Sequence, residues 1–153
     1  MDILNVLLGE HGVFYGQFDY LEQLLPGASA IEEVQVLAGV LAAAVEAHSA
    51  LEDDLLFTAL EPHLDAGSPD VLGMRMMHEE IAAGFERVRL ARDLNAAREA
   101  CAGVIELARQ HFIGEETFLF PKARLLLADE ARDTLGAAWA DRRGVMRAFG
   151  MWR

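Results

Sequence analysis

The sequence predicts an all-α fold: an up-down-up-down four-helix bundle with an additional short C-terminal helix. Three observations carry that expectation. Ala, Leu and Val dominate while aromatics make up only 8%, which favours packed helices over aromatic-rich strands. Long stretches run without proline, and Pro26, Pro62 and Pro121 fall where such stretches end. No segment reads as a run of strands and no linker is long enough to divide the chain. The 153 residues are therefore expected to form one domain, 1–153, large enough to bury a core.

Each element follows from its punctuation. Residues 2 to 25 form the first helix, stopped by Pro26 and Gly27 in "LLPGAS". Ser29 with Glu32 three positions later gives a capping-box start to the second, which runs to Leu60 or Glu61. In "DAGSPD", Ser68 and Pro69 supply cap and first turn of a third helix over about 69 to 92. Asp93 and Asn95 mark the next turn, and the fourth helix runs from about 95 to Phe120, stopping at Pro121. A shorter helix over about 129 to 148 follows Asp129. The tail "GVMRAFGMWR" is apolar for a chain end, so Phe149 and Trp152 are expected to dock on the bundle, with a dimer contact as the alternative.

Thirteen basic against 25 acidic residues give a formal net charge of −12. Such a field repels phosphate backbones and anionic lipid, so no nucleic acid and no membrane is expected as a partner. The longest apolar run, "VQVLAGVLAAAV", is interrupted by Gln35 and too short to span a bilayer. The start, "MDILNVLLGEH", has an acid at position 2 and no basic n-region, so no signal peptide is expected. One cysteine, Cys101, makes no internal disulfide and suits a reducing compartment. The expectation is a cytoplasmic protein, a monomer or weak homodimer.

The chemistry concentrates in two stretches, "HSALEDDLLF" from His48 and "HFIGEETFLF" from His111. Each places a glutamate four residues after its histidine (Glu52, Glu115), adds a second acid (Asp53, Glu116) and closes on Leu-Phe. Four helical residues turn the chain about 400°, so histidine and glutamate share a face. His11 and His78 lie on the other two long helices. At about 1.5 Å per residue, all four histidines come level, roughly 13 to 20 Å from one end of the bundle. The chain is thus a twofold repeat of His, then His-x-x-x-Glu, whose halves supply matching halves of one site.

Four imidazoles and two carboxylates left unpaired in an apolar bundle cost on the order of several kcal/mol each. A pair of divalent or trivalent ions satisfies them all. With both glutamates bridging and two histidines per ion, each ion has four protein ligands; an oxide or hydroxide bridge adds a fifth and leaves one octahedral position open. Imidazole with carboxylate suits non-haem iron better than calcium or magnesium. Manganese remains open, and zinc fits less naturally because six ligands exceed its tetrahedral need. His63, just past Pro62, falls outside the cluster as a solvated loop residue. Tyr15, one turn beyond His11, is the candidate hydrogen-bond donor to a small oxygen ligand, with a partly buried core tyrosine as the alternative. Asp53, Glu80 and Glu116 are expected mostly exposed, one of them serving as acceptor for a ligand's outer ring nitrogen. Phe14, Phe18, Leu55, Phe112 and Phe118, at helical spacing, are expected in the core.

His11, His48-x-x-x-Glu52, His78 and His111-x-x-x-Glu115, with "LLF" and "FLFP" after the paired motifs, resemble the hemerythrin-like family, the HHE cation-binding domains, over about residues 3 to 125. The resemblance implies an up-and-down four-helix bundle around an oxo- or hydroxo-bridged pair of Fe ions. It implies His11, His48, His78 and His111 as terminal ligands and Glu52 and Glu115 as bridges. Oxygen-carrying hemerythrins have an extra histidine a turn beyond the third-helix one, where this chain has Ala82, and an aspartate five residues after the last histidine, where the matching acid here is Glu115 at four. Without the extra histidine the two irons are nearly equivalent, which counts against reversible oxygen carriage. The rival ferritin-like pattern needs Glu-x-x-His pairs, and no histidine here has a glutamate three residues before it. The resemblance therefore implies a di-iron protein binding O2, peroxide or NO. It would act as an enzyme disposing of peroxide or NO, as a module sensing or buffering iron or oxygen without turnover, or as a metal-stabilised structural protein.

Overall fold

A computed structural model of the chain describes residues 1–64 and 68–145. It is all-α, with five helices and no strand among the described residues. Helix α1 is Ile3–Leu24, capped by Asp2, whose carboxylate accepts from the Leu4 amide at 2.8 Å. A 3-10 turn, Leu25–Gly27, closes it at the expected Pro26. Helix α2 begins as Ile31–Leu51, winds through a π-helical stretch, Glu52–Phe57, and finishes in Thr58–Leu60 and a 3-10 turn at Pro62. Its expected capping box does not form. Ala30 is the N-cap, and Glu33, not Glu32, reaches back to the Ser29 amide at 3.2 Å. Helix α3 is Pro69–Leu90, with proline in its first turn as expected, although the Ser68 hydroxyl donates to Asp70 at 2.7 Å instead of capping the backbone. Helix α4 begins as Leu94–Gly114, capped by Asp93. Helix α5 is Asp129–Arg142. The expected positions of Phe149 and Trp152, and the last residues of the predicted C-terminal helix, lie outside the described residues.

Helix α4 does not stop at Pro121. It passes through a second π stretch, Glu115–Leu119, and continues as Phe120–Leu126. Proline inside a helix forfeits one N–H and crowds the carbonyl four residues back. Here the π stretch re-phases the ladder first, with the Phe120 amide reaching the Glu115 carbonyl five residues back. Pro121 then falls in the first turn of a new α segment, where its missing N–H costs little.

The same re-phasing corrects two core assignments. A strict α count put Phe118 and Leu55 inside. The wider π turn rotates the following side chains by about one position. Phe118 is 75% exposed while Leu119 and Phe120 are buried, and Leu55 is half-buried while Leu56 and Phe57 are fully buried. Phe14, Phe18 and Phe112 are in the core as expected.

Two apolar clusters fill the interior. One is built around Phe18, Leu41, Ile81, Phe85, Val104 and Phe112, the other around Leu4, Leu7, Phe57, Leu60, Leu119 and Phe120. Helices α1 and α3 run from the second cluster to the first, and α2 and α4 run from the first to the second. Contacts at the helix ends agree. The Arg98 guanidinium at the start of α4 donates to the Pro26 and Ala28 carbonyls just past α1. The Gln35 amide at the start of α2 sits within 3.2 Å of the Val88, Arg89 and Ala91 carbonyls at the end of α3. Gln35, an interruption of the apolar run in sequence, thus satisfies carbonyls that a helix end leaves unpaired. At Gly84 a Cβ would stand 2.5 Å from Val104 Cγ2, so glycine allows the close α3–α4 approach.

Helix α5 lies along α1. Buried Arg132 fastens it, donating to Asp2, to Asp129 and to the Arg124 and Leu127 carbonyls. Counted as one continuous helix, Ile31–His63 is long and apolar enough by length and composition to cross a bilayer, contrary to the expectation drawn from its apolar run. A core helix passes the same test, and this one turns Val34, Leu41, Val45, His48 and Glu52 into the interior.

Candidate metal centre

Between the two apolar clusters lies one polar layer, and the structure brings all six expected residues into it. His11, His48, Glu52, His111 and Glu115 are fully buried, and His78 is 8% exposed. They form two overlapping sets: His11, His48, Glu52 and Glu115, and then Glu52, His78, His111 and Glu115. In each set the ligand-type atoms lie within 4.8 Å of one another, and both glutamates belong to both sets. His11 Nε2 stands 3.1 Å from His48 Nε2 and 3.4 Å from Glu115 Oε2. Glu52 Oε2 is 3.2 Å from His48 Nε2 and 3.5 Å from His78 Nε2. His111 Nε2 is 3.4 Å from Glu115 Oε1. Each glutamate is the first residue of a π stretch, a backbone departure often found at functional sites.

Aromatic rings wall the layer. Phe112 stacks on His11 at 4.1 Å between centroids, Phe57 stacks on His78 at 5.5 Å, and Phe14 meets His48 edge-on at 5.2 Å. These contacts fix the rings and keep water away.

Outside the layer, three of the four histidines give their outer nitrogen to a carboxylate. His11 Nδ1 bonds Glu116 at 2.9 Å, His48 Nδ1 bonds Glu10 at 2.9 Å, and His78 Nδ1 bonds Asp53 at 3.2 Å. In a neutral imidazole such a bond keeps the proton on Nδ1 and turns the lone pair of Nε2 inward. Of the three acids expected beside ligands, Asp53 and Glu116 both serve as acceptors while Glu80 is exposed. Glu10 was missed. Its neighbour in sequence is His11, but it serves His48 across the helix interface, and Trp139 and Arg143 at the end of α5 hold it. An acid beside each ligand motif was the available signal, yet it fails at His78, whose following Glu79 and Glu80 face solvent.

Tyr15 is half-buried, and its hydroxyl donates to Glu116 Oε1 at 3.1 Å, the oxygen that also receives His11 Nδ1. Burial and then the Glu116 charge push this phenol up to about 12. His63 lies on an exposed turn away from the layer, as expected.

The charges in the layer centre on one ion pair, Glu52 with His48. Burial alone would raise the Glu52 carboxyl, but the charge on His48 holds it well below the usual carboxylate range. Burial likewise disfavours charge on His48, yet Glu52 and Glu10 raise it to about 9. Glu115, buried and facing the Glu52 charge, is pushed well above the usual range. His111 is driven down to about 3 by burial and by His78. A charged His48 also explains its short contact with His11, since one of the two facing nitrogens must donate.

The layer remains under-satisfied. Both oxygens of Glu52, both oxygens of Glu115, His78 Nε2 and both nitrogens of His111 are buried with no hydrogen-bond partner among the described residues. Such orphans are rare in folded proteins and costly. Imidazole nitrogens and carboxylate oxygens converging in a dry core are a metal donor set, and the residues fit one.

A helical fold whose described residues enclose a buried His/Glu cage able to hold a metal sets the class of the protein. The sequence profile of the hemerythrin family, described as the Hemerythrin HHE cation binding domain, matches residues 2–123, and the chain belongs to that family. Searches of curated proteins and of solved structures returned no significant match. Family and cage together mark a metal site, with iron the expected ion.

Proposed function

We propose that the chain is a non-haem di-iron protein that binds O2, peroxide or NO, and that it disposes of peroxide or NO. The observation that carries this reading is the pair of four-residue ligand sets sharing Glu52 and Glu115, whose inward oxygens have no other partner. His11 and His48 would hold one ion, His78 and His111 the other, and the two glutamates would bridge them. The alternating helix directions support an up-down-up-down four-helix bundle with α5 along its side. Iron supplies one-electron redox steps and Lewis acidity.

The chain's own part is to hold, orient and keep dry. The carboxylates of Glu10, Asp53 and Glu116 set three imidazoles in the tautomer that offers Nε2 inward. Phe14, Phe57 and Phe112 exclude water. Tyr15 donates its hydroxyl hydrogen bond to Glu116 Oε1, which makes it a positioning residue for His11. The deep burial of five of the six residues also favours a second reading, a module that buffers or senses iron or oxygen without turnover. Cytoplasmic location and a monomer or weak homodimer complete the proposal.

Peroxide added to the iron-loaded protein tests it. Sustained release of oxygen is expected. A stoichiometric spectral change without turnover overturns the enzymatic reading in favour of the buffering one.

A further inference from the structure

The absence of an extra histidine suggested two nearly equivalent ions, but the surroundings of the two sets are unequal. In the His11/His48 set both outer nitrogens meet carboxylates at 2.9 Å, and those carboxylates are themselves anchored. Trp139 and Arg143 hold Glu10, and Tyr15 holds Glu116. In the other set, His78 meets Asp53, itself held by the Arg75 guanidinium, at a longer 3.2 Å. His111 has no outer carboxylate among the described residues, where its buried Nδ1 finds no hydrogen-bond partner. An outer carboxylate raises the basicity of the ligating imidazole and is commonly worth about 10- to 100-fold in metal affinity.

Access is unequal in the same direction. A groove of about 630 Å³ runs between α2 and α3 over Ala38, Val45, Ile81 and Phe85, and it is lined also by His78, Asp53 and Ala82. Ala82 keeps a small side chain where a bulkier one would narrow the groove. His78, the one ligand-type histidine with measurable exposure, is the only histidine among the groove's lining residues.

We propose that the two metal positions differ in permanence: the ion between His11 and His48 is retained, and the ion between His78 and His111 is exchangeable, entering and leaving by the α2/α3 groove. This rests on the two-ion reading above. The weaker position is the one where metal loading is controlled and where ligand exchange is fastest.

The test uses the full chain loaded with two equivalents of cobalt(II) and challenged with excess EDTA, following the visible cobalt absorption. Two release phases are expected, differing by at least about tenfold. Asp53→Asn should speed the fast phase and leave the slow one unchanged, whereas Glu10→Gln should speed the slow phase alone. In the unaltered chain, crystals grown with one equivalent of cobalt should show anomalous density among His11, His48, Glu52 and Glu115. Release of both ions in one phase, or single-equivalent density beside His78 and His111, overturns the inference while leaving a two-ion site intact. Saturation below two ions overturns the two-ion reading itself, and the inference falls with it.

Discussion

The stretches that begin at His48 and His111 are near-copies in sequence and unequal in the folded chain. Both present a histidine and a glutamate to one layer, and both pass at once into a π stretch that turns a Leu and a Phe inward. Beyond that they part. Glu52 is held well below the usual carboxylate range beside His48, itself raised to about 9, while Glu115 is pushed well above that range and His111 is driven down to about 3. His48 has Glu10 behind it, and His111 has nothing. The stretches themselves dictate what faces inward. What stands behind each ligand comes from other helices, and there the symmetry breaks.

The shared backbone feature is broken most severely from inside. Phe120→Ala should cost about 3–5 kcal/mol, and Phe118→Ala less than about 0.5 kcal/mol, measured by urea unfolding. Similar losses at both positions would mean the π re-phasing is absent. The electrostatic contrast comes next. In protein stripped of metal, Glu52→Gln removes one of the two carboxylates that face His48, leaving Glu10, and should cost about 2 kcal/mol. Glu115→Gln replaces a carboxyl whose charged form burial and the Glu52 charge already disfavour, and should cost about 1 kcal/mol or less. Equal costs would erase the difference between the two stretches.

Acidity sharpens the same contrast. An ion at His48 can bind only after that imidazole gives up its proton. Apparent metal affinity should therefore climb with pH up to about 9, where His48 titrates, and calorimetry in buffers of different ionisation heat should record protons released at neutral pH. The stability that the raised His48 value lends the stripped protein has the opposite sign. It is complete below the ordinary histidine value of 6.5 and is lost as pH rises through about 9. The smallest effect belongs to Tyr15→Phe, which removes one half-buried hydrogen bond. It should lower stability by about 1 kcal/mol or less and leave the ion count unchanged; loss of an ion would give Tyr15 a ligand's part.

Much of this was legible in the residues. Proline, glycine and cap formers marked four of the helix boundaries, and the spacing of His48 with Glu52 and of His111 with Glu115 announced a shared face. The level of His11 and His78 followed from the residue count. Three things were not legible. Pro121 reads as a stop because a π stretch carries no signature in an otherwise regular apolar pattern, and Phe118 was misassigned for the same reason. Glu10 acts on a helix other than its own, so no local spacing reveals it. The hold of Trp139 and Arg143 on Glu10 reaches across the molecule from α5, beyond the residues that the family profile matches. Local rules read faces of helices; they do not read which acid stands behind which face.

Anomalous diffraction at the iron edge, from crystals of the iron-loaded chain, is the most direct test of the central claim that six buried side chains enclose two ions. Two peaks are expected inside the helices, one beside His11 and His48 and one beside His78 and His111, each in contact with Glu52 and Glu115. A single peak, or peaks lying only on the acidic surface, would contradict it.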